Sequence, residues 1–520
     1  MTQCILAIDS GSSAVKAAVV DVEGQIRGTG IAQIETILGE GGAAEQCPRQ
    51  LWDAVLHASK SALNGARGDD CHVIGVACSS QYSSVIPVGA DGEASGNLVL
   101  WRDTRGARQV RALLDAHPGA VDTWAEIHGL PPSREGRDTL AHMLHIKNDV
   151  PEVYERTSAL LEPADFLSLK FSGVVSATPC SVFKMLLTDN RDSRAQSYDP
   201  TLVALSGIDP EKLPALAEPG TVLGDVIPAV AAELTIPGNA KVVCSMNDNH
   251  AVAMGTAALE RATAGLSIGT TANISALIDG MKSDRKRRLS SMPTPLAGRN
   301  MVMAENGLGG KVLDISLDQI FYPDGPRSAE QRFADFEAAA RRAAPGSGGV
   351  IFLPWLNGAG SPASNADARA GFLNISVDTT RDDLMRAMFE GIVFNLRWLN
   401  DAVEDFVETT FDHLMFTGGG AQSDTCAQIM ADVFDRPIHQ MENPRYAPCR
   451  GLAFFAFCRI GVLGEHDQTD FLHVKQTYEP RPALRALYAE HFGQMLQAFD
   501  RTTPIVAALN QRTSGEKHVR

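Results

Sequence analysis

Two aspartates close apolar runs at places where a carboxylate can do chemistry. Asp9 ends the run LAID in LAIDSGSSAVKAAVVDVEG, Leu6 to Gly24, and faces a turn of Gly and Ser before a second apolar run. Read alone, this is a β-hairpin with a spare carboxylate. Asp248 follows the run VVCSMN in VVCSMNDNHAVAMG, Val242 to Gly255, and precedes a stretch of small residues with helical character. It is either the N-cap of that helix or a general base at the carboxyl edge of a sheet, where α/β proteins place their ligands.

Three turns of small residues follow three apolar strands: DSGSS at Asp9 to Ser13, IGTT at Ile268 to Thr271, and GGGAQS at Gly418 to Ser423. Glycine lets the backbone approach a ligand closely, and Ser and Thr add hydroxyl donors. Three such turns at corresponding points of two halves can clamp a polyphosphate from two sides. GLGGKV at Gly307 to Val312 lacks the spacing of a Walker loop and has no Ser or Thr after Lys311, so it is read as a tight loop.

The elements that must position these groups alternate. Residues 1–255 run through CILAID, AVKAAVV, the amphipathic PRQLWDAVLHASKSALNGA, HVIGVAC and SVIPVGADG, which predicts an α/β domain. Past residue 255 the plan restarts: AGLSIGTTANISALIDG, Ala264 to Gly280, lays over the Asp9 segment as strand, small-residue turn, strand. An internal echo at this distance predicts two halves built alike. The second half continues with a helix in SAEQRFADFEAAARRAAPG, a strand in GVIFLP, a Gly/Pro/Ser loop, a long amphipathic helix in TRDDLMRAMFEGIVFNLRWLNDAVEDF, and strand, turn and helix in FDHLMFTGGGAQSDTCAQIMADVF. The expected domains are 1–255 and 256–505, with a polar tail over 506–520.

Bulk properties narrow the function. A chain of 520 residues needs more than one core, and 44% apolar with 21% charged residues is ordinary for a globular protein. The start of the chain shows no signal-peptide pattern and no run is long enough to span a bilayer, so the default expectation is a cytoplasmic protein without a membrane partner. Nine scattered cysteines without a C-x-x-C pair read as buried hydrophobes. A net charge of −16 disfavours nucleic acid as a partner, and any nucleotide must be held locally by backbone N–H groups.

Other residues carry two readings each. His142 and His145 in LAHMLHI could ligate metal but lack a third ligand, and are expected to be a satisfied interface pair. DRKRR, Asp284 to Arg288, is expected as a solvated hairpin loop. Trp101 is either packing or a platform for a ligand; Asp103 and Arg105 are either a surface ion pair or groups of a binding site; Glu305 and Asn306 either border a cleft or cap a strand.

Taken together, the motifs resemble the FGGY family of carbohydrate kinases, of the actin-like ATPase superfamily, and within it the xylulose kinase branch. The match runs over almost the whole chain. LAIDSGSSAVKAAVVD is similar to the family's first phosphate motif, LWRDTR (Leu100 to Arg105) to its W-x-D-x-R segment, NDNHAVAMG to the segment carrying the catalytic base, LSIGTT to the second phosphate motif, and FTGGGAQSDTCAQIMADVF to the adenosine motif. The resemblance implies two actin-like, ribonuclease H-like α/β domains related by duplication, with an ATP and sugar cleft between them. It implies Asp248 as catalytic base, and Asp9 with Asp248 on the Mg²⁺ side. Ser12, Ser13, Lys16, Gly269, Thr270, Thr271, Gly419, Gly420, Ala421, Ser423 and Gln428 are implied around ATP. Ser80, Gln81, Trp101, Asp103 and Asn249 are implied around the sugar. A homodimer would be unsurprising in the family.

The departures fall on the acceptor side. Ser80 and Gln81 stand where xylulose kinases usually carry Met and His, GAGSP (Gly358 to Pro362) replaces the charged G-E-R-x-P, and SATPCSVF (Ser176 to Phe183) replaces T-D-x-S-x-A. The expected activity is ATP-dependent phosphorylation of a primary hydroxyl of a small sugar, a pentulose such as xylulose. The alternatives are a catalytically weak sugar- and nucleotide-binding regulator, or a kinase for another ketose or polyol (ribulose, erythritol, glycerol-like).

Overall fold

In the computed structural model, which describes residues 1–68, 70–323 and 328–516, the first apolar run forms the strand Thr2–Ser10, buried from Cys4 onward. A strand apolar on both faces belongs in the middle of a covered sheet. Thr2–Ser10 accordingly pairs antiparallel with Ala14–Asp21 on one side and parallel with Cys71–Ser80 on the other. From edge to edge this sheet reads Val222–Asp225, Lys241–Asn247, Cys71–Ser80, Thr2–Ser10, Ala14–Asp21, Ile26–Gln33.

The second sheet repeats the order: Val474–Tyr478, Ile438–Met441, His413–Thr417, Thr263–Ile268, Thr271–Ile278, Asn300–Leu308, then the additional strands Leu289–Pro293 and Ser283–Asp284. Both have an antiparallel edge, two parallel pairings, and a hairpin whose tip carries a small-residue turn. The α/β class and the internal duplication are therefore both present.

A core shared by the halves lies between the sheets. It is built from Ile5, Ala7 and Val243 of the first sheet, Met301, Met415 and Met441 of the second, and the helices Asp248–Gly255 and Ala447–Ile460. These helices touch backbone to backbone: a Cβ on Gly255 would stand 2.1 Å from the Ala447 carbonyl oxygen, and one on Gly451 would stand 2.2 Å from that of Ala251. The buried Arg450 next to this crossing ties the halves further, donating from Nε to Gly24 O (3.1 Å) and from Nη1 to Glu442 O (2.8 Å).

Two local expectations change. GLGGKV is not a loop: it ends the strand Asn300–Leu308 and opens the helix Gly310–Ser316. The tail from residue 506 continues the helix Arg485–Glu516, with 517–520 outside the described residues. DRKRR is a hairpin tip as expected, since Ser283–Asp284 pairs with Leu289–Ser290 around it. The amphipathic stretch TRDDLMRAMFEGIVFNLRWLNDAVEDF is the helix Arg381–Val407, started by a capping box between Thr380 and Asp383. Among the described residues no helix is long and apolar enough to cross a membrane.

The crossing yields a stability prediction. Gly451→Ala must push the two helices apart and should cost about 1–3 kcal/mol, read as a lowered denaturation midpoint, whereas Gly238→Ala, with open space around its Cβ, should leave the midpoint unchanged.

Candidate active site

The strand register brings three polar groups to the first turn. Asp9 lies across from Ser79 on its parallel neighbour and from Lys16 on its antiparallel neighbour. Its Oδ1 accepts from Ser79 Oγ at 2.9 Å, and its Oδ2 pairs with Lys16 Nζ at 3.3 Å. Asp9 is buried, whereas Lys16 keeps part of its side chain exposed.

Asp248 is the first residue of its helix and not its cap. Asn247 takes that role, its Oδ1 accepting the His250 N–H at 3.0 Å. The Asp248 carboxylate receives the N–H of the adjacent Asn249 (2.9 Å) and no side-chain donor among the described residues, and both residues stay partly exposed. Burial, and then the charge of Asp9, raises the Asp248 pKa to about 7, while Lys16 pulls the other way. Asp9 in turn holds the Lys16 ammonium above its ordinary value. Asp248 is thus a carboxylate uncommitted to any side chain and poised near neutrality, as a general base requires.

The three turns are held from behind. In the first, Gly11 N–H donates to Ala14 O (3.0 Å), leaving Ser12 half-buried and Ser13 exposed. In the second, Gly269 N–H donates to Thr271 O (2.9 Å), Thr270 is exposed, and Thr271 is half-buried. Gly309 and Gly310 donate to Thr270 O (2.9 Å) and Gly269 O (2.8 Å), and a Cβ on Gly309 would come within 2.8 Å of Thr271 backbone atoms. The misread GLGGKV is therefore the support of this turn, and its paired glycines were the available signal.

The third turn leans on the second. Gly418 (φ +81) and Gly420 have Cβ positions 2.7 Å from Ile268 O and 2.8 Å from Ile268 Cβ, so only glycine fits at either place. Gly419 lies between them, and Ala421 is buried with its carbonyl on Gln440 Nε2 at 2.8 Å. Two of the residues expected around ATP are otherwise engaged. Ser423 Oγ caps the helix Asp424–Phe434 by accepting from Cys426 N–H (2.9 Å), and Gln428 Nε2 donates to Asp432 Oδ1 (3.2 Å) and Glu479 O (3.0 Å).

On the acceptor side, Ser80 Oγ donates to Gln81 O (2.8 Å), and Gln81 donates its N–H to Ser10 O (2.8 Å) and its Nε2 to Gln46 Oε1 (3.2 Å). Trp101 keeps 40% of its surface exposed. Asp103 is fully buried and forms the ion pair of its two readings: Oδ2 receives Ala44 N–H (2.9 Å) and Arg105 Nη2 (2.7 Å). Burial opposes its ionisation, but the bonds from Arg105 and Ala44 win and hold its pKa below the ordinary value. Arg105 then reaches Glu45 Oε1 at 2.5 Å.

The structure adds residues that the sequence reading passed over. Tyr82, next to Gln81, is half-buried and carries Lys184 Nζ 5.8 Å over its ring. Its phenol is pushed up by burial and by the charges of Asp248, Glu305 and Glu162, which bracket it. Glu305 presents its side chain to solvent and its carbonyl to Ser361 N–H (3.1 Å), docking the GAGSP loop beside the cleft. Asn306 is buried with both amide atoms unpartnered. The expectation of a satisfied histidine pair holds for His145, which bonds Asp149 at 2.9 Å. It fails for His142, whose ring lacks a well-formed hydrogen bond and whose burial lowers its pKa to about 4, keeping it neutral.

Comparison with known proteins agrees with this layout. Residues 4–255 match the N-terminal domain, and residues 266–459 the C-terminal domain, of the FGGY family of carbohydrate kinases. A xylulose kinase of Lactococcus lactis is 25% identical over 506 residues, covering 96% of this chain and 97% of its own. A gluconokinase of Bacillus subtilis is 22% identical over 489 residues, covering 93% and 92%. In fold, the chain superposes with a TM-score of 0.84 on a ligand-bound xylulose kinase from Lactobacillus acidophilus, at 22% identity, over 98% of this chain and 100% of the other.

The glycine support of the second turn is testable. Gly309→Ala should displace Thr270 and Thr271 and weaken ATP binding about tenfold, the loss of one or two well-placed hydrogen bonds, in a titration that leaves the far-ultraviolet circular dichroism unaltered.

Proposed function

Because the chain belongs to the FGGY family of carbohydrate kinases and is a phosphotransferase, we propose that this site transfers the γ-phosphoryl group of ATP to a primary hydroxyl of a small sugar, with Asp248 as general base. The observation that carries the reading is the uncommitted Asp248 carboxylate, poised near pH 7 beside Asp9. A protein that only binds sugar and nucleotide has no use for such a group.

Asp248 accepts the proton of the attacking hydroxyl, and the hydroxyl groups of Ser12, Ser13, Thr270 and Thr271 surround the phosphates from both halves, with Gly269 letting the second turn approach them closely. Phosphoryl transfer asks the protein mainly to position groups and to neutralise charge. Gly418 to Ala421 offer backbone edges to the adenosine, and Lys16 answers part of the negative charge from the flank of Asp9. Closing the halves around the sugar excludes the water that would otherwise accept the phosphoryl group.

The donor set suits Mg²⁺. Among the described residues there is no cluster of three or more His, Cys, Asp or Glu that could cage a metal. Mg²⁺ is ordinarily held by one or two carboxylates, with water and phosphate oxygens completing its shell, and Asp9 and Asp248 supply that number. When bound it would neutralise charge on the β and γ phosphates. Among acceptors, a pentulose of the xylulose type is the first candidate, supported by the xylulose kinases among the relatives. A gluconokinase at similar identity, and Ser80, Gln81 and the uncharged GAGSP loop on the acceptor side, make aldonates, other ketoses and polyols the necessary comparison.

ADP release measured over a panel of ketoses, aldoses, polyols and aldonates should show stimulation by at least one of them, reduced about 10²–10⁴-fold in Asp248→Asn. If no acceptor raises the rate above that variant, the kinase reading is wrong. Asp9→Asn should impair Mg²⁺-dependent turnover while sugar binding, followed by calorimetry, persists. Because the base works deprotonated, kcat/KM should fall as pH drops below about 7, and Lys16→Met should move that limb upward, since the cation that lowers the Asp248 pKa is gone.

A further inference from the structure

Every position of the three-residue strand Ala44–Gln46 is bound by its surroundings. Ala44 gives its N–H to Asp103, Glu45 holds Arg105 Nη2 (2.5 Å) and Asn97 Nδ2 (2.7 Å), and Gln46 points inward without exposed surface. Gln46 Nε2 donates to Ser12 O at 2.7 Å, inside the first turn. Its Oε1 accepts from Gln81 Nε2 at 3.2 Å. The Gln81 Oε1 is buried and has no hydrogen-bond partner among the described residues.

The result is a continuous line of amides from the expected acceptor side to the first turn. A primary amide donates and accepts through one planar group, so fixing one end orients the other, and hydrogen bonds in series reinforce each other at low dielectric. The orphaned oxygen is the end that a sugar hydroxyl can satisfy by donating to it. Asp103 and Arg105, joined in an ion pair, clamp the strand that carries Gln46.

Resting on the kinase reading above, we propose that Gln46 is a positioning residue that couples acceptor binding to the first phosphate turn. A hydroxyl seated on Gln81 Oε1 orders Gln81, Gln81 orders Gln46, and Gln46 holds the Ser12 carbonyl so that the turn grips the phosphates. The enzyme thereby holds ATP more tightly when there is something to phosphorylate. Gln46 touches neither substrate.

The test measures coupling rather than activity alone. Binding of a non-hydrolysable ATP analogue to the full-length protein is titrated with and without the acceptor that the ADP-release panel identifies. In the wild type the acceptor should tighten analogue binding about three- to tenfold, the worth of one hydrogen bond. In Gln46→Leu, and in the near-isosteric Gln46→Glu, which cannot donate to Ser12 O, that ratio should fall to about one. Acceptor affinity in the absence of nucleotide should change less than about twofold, an effect that loosened packing alone would not reproduce. Gln81→Met breaks the line at its other end, and should abolish the ratio even where a Gln46 variant fails to fold. A ratio retained in the folded variants, or absent from the wild type, overturns the proposal and leaves the kinase reading standing; no acceptor-dependent ADP release from the wild type overturns both.

Discussion

The helices Asp248–Gly255 and Ala447–Ile460 cross with only glycine between their backbones, at Gly255 against Ala447 and at Gly451 against Ala251. This contact sets the distance between the two sheets. One helix begins with Asp248, and the other packs against the strand Thr2–Ser10 that carries Asp9 and reaches the next strand, with Cys449 Sγ 3.9 Å from Lys16 O. Side chains at the crossing would separate the halves. The small-residue run after Asp248 serves this approach.

Within the cleft, charge is arranged economically. Asp9 is bonded to Lys16 and Ser79, while burial and the charge of Asp9 raise the Asp248 pKa to about 7. Burial alone would penalise both carboxylates. Asp9 is paired, and Asp248 has no side-chain partner among the described residues. The second and third turns are braced on one another through Ile268.

The W-R-D-T-R segment shows how a motif can act at one remove. Asp103 and Arg105 are bonded to Ala44 and Glu45, which places Gln46 between the first turn and Gln81. Gln81 is thus tied through Gln46 to the Ser12 carbonyl by one line of hydrogen bonds. Tyr82 and Lys184 extend the same wall from residues that sit next to the recognised motifs.

The sequence by itself determined what is local or repeated. Apolar runs ended by Asp9, by Asp248 and by small-residue turns are legible because strand, turn and helix each leave a short-range pattern, and the duplication is legible because the pattern recurs. The tertiary structure decided what depends on distant partners. It made Asn247 the cap and freed Asp248, turned GLGGKV from a loop into the brace of the second turn, sealed Asp103 into an ion pair, and committed Ser423 and Gln428 elsewhere. It also brought Gln46 to Ser12 and Gln81, thirty-four and thirty-five residues away. A side chain's hydrogen-bond partner is set by which backbone groups packing leaves unpaired beside it, and periodicity carries no record of that.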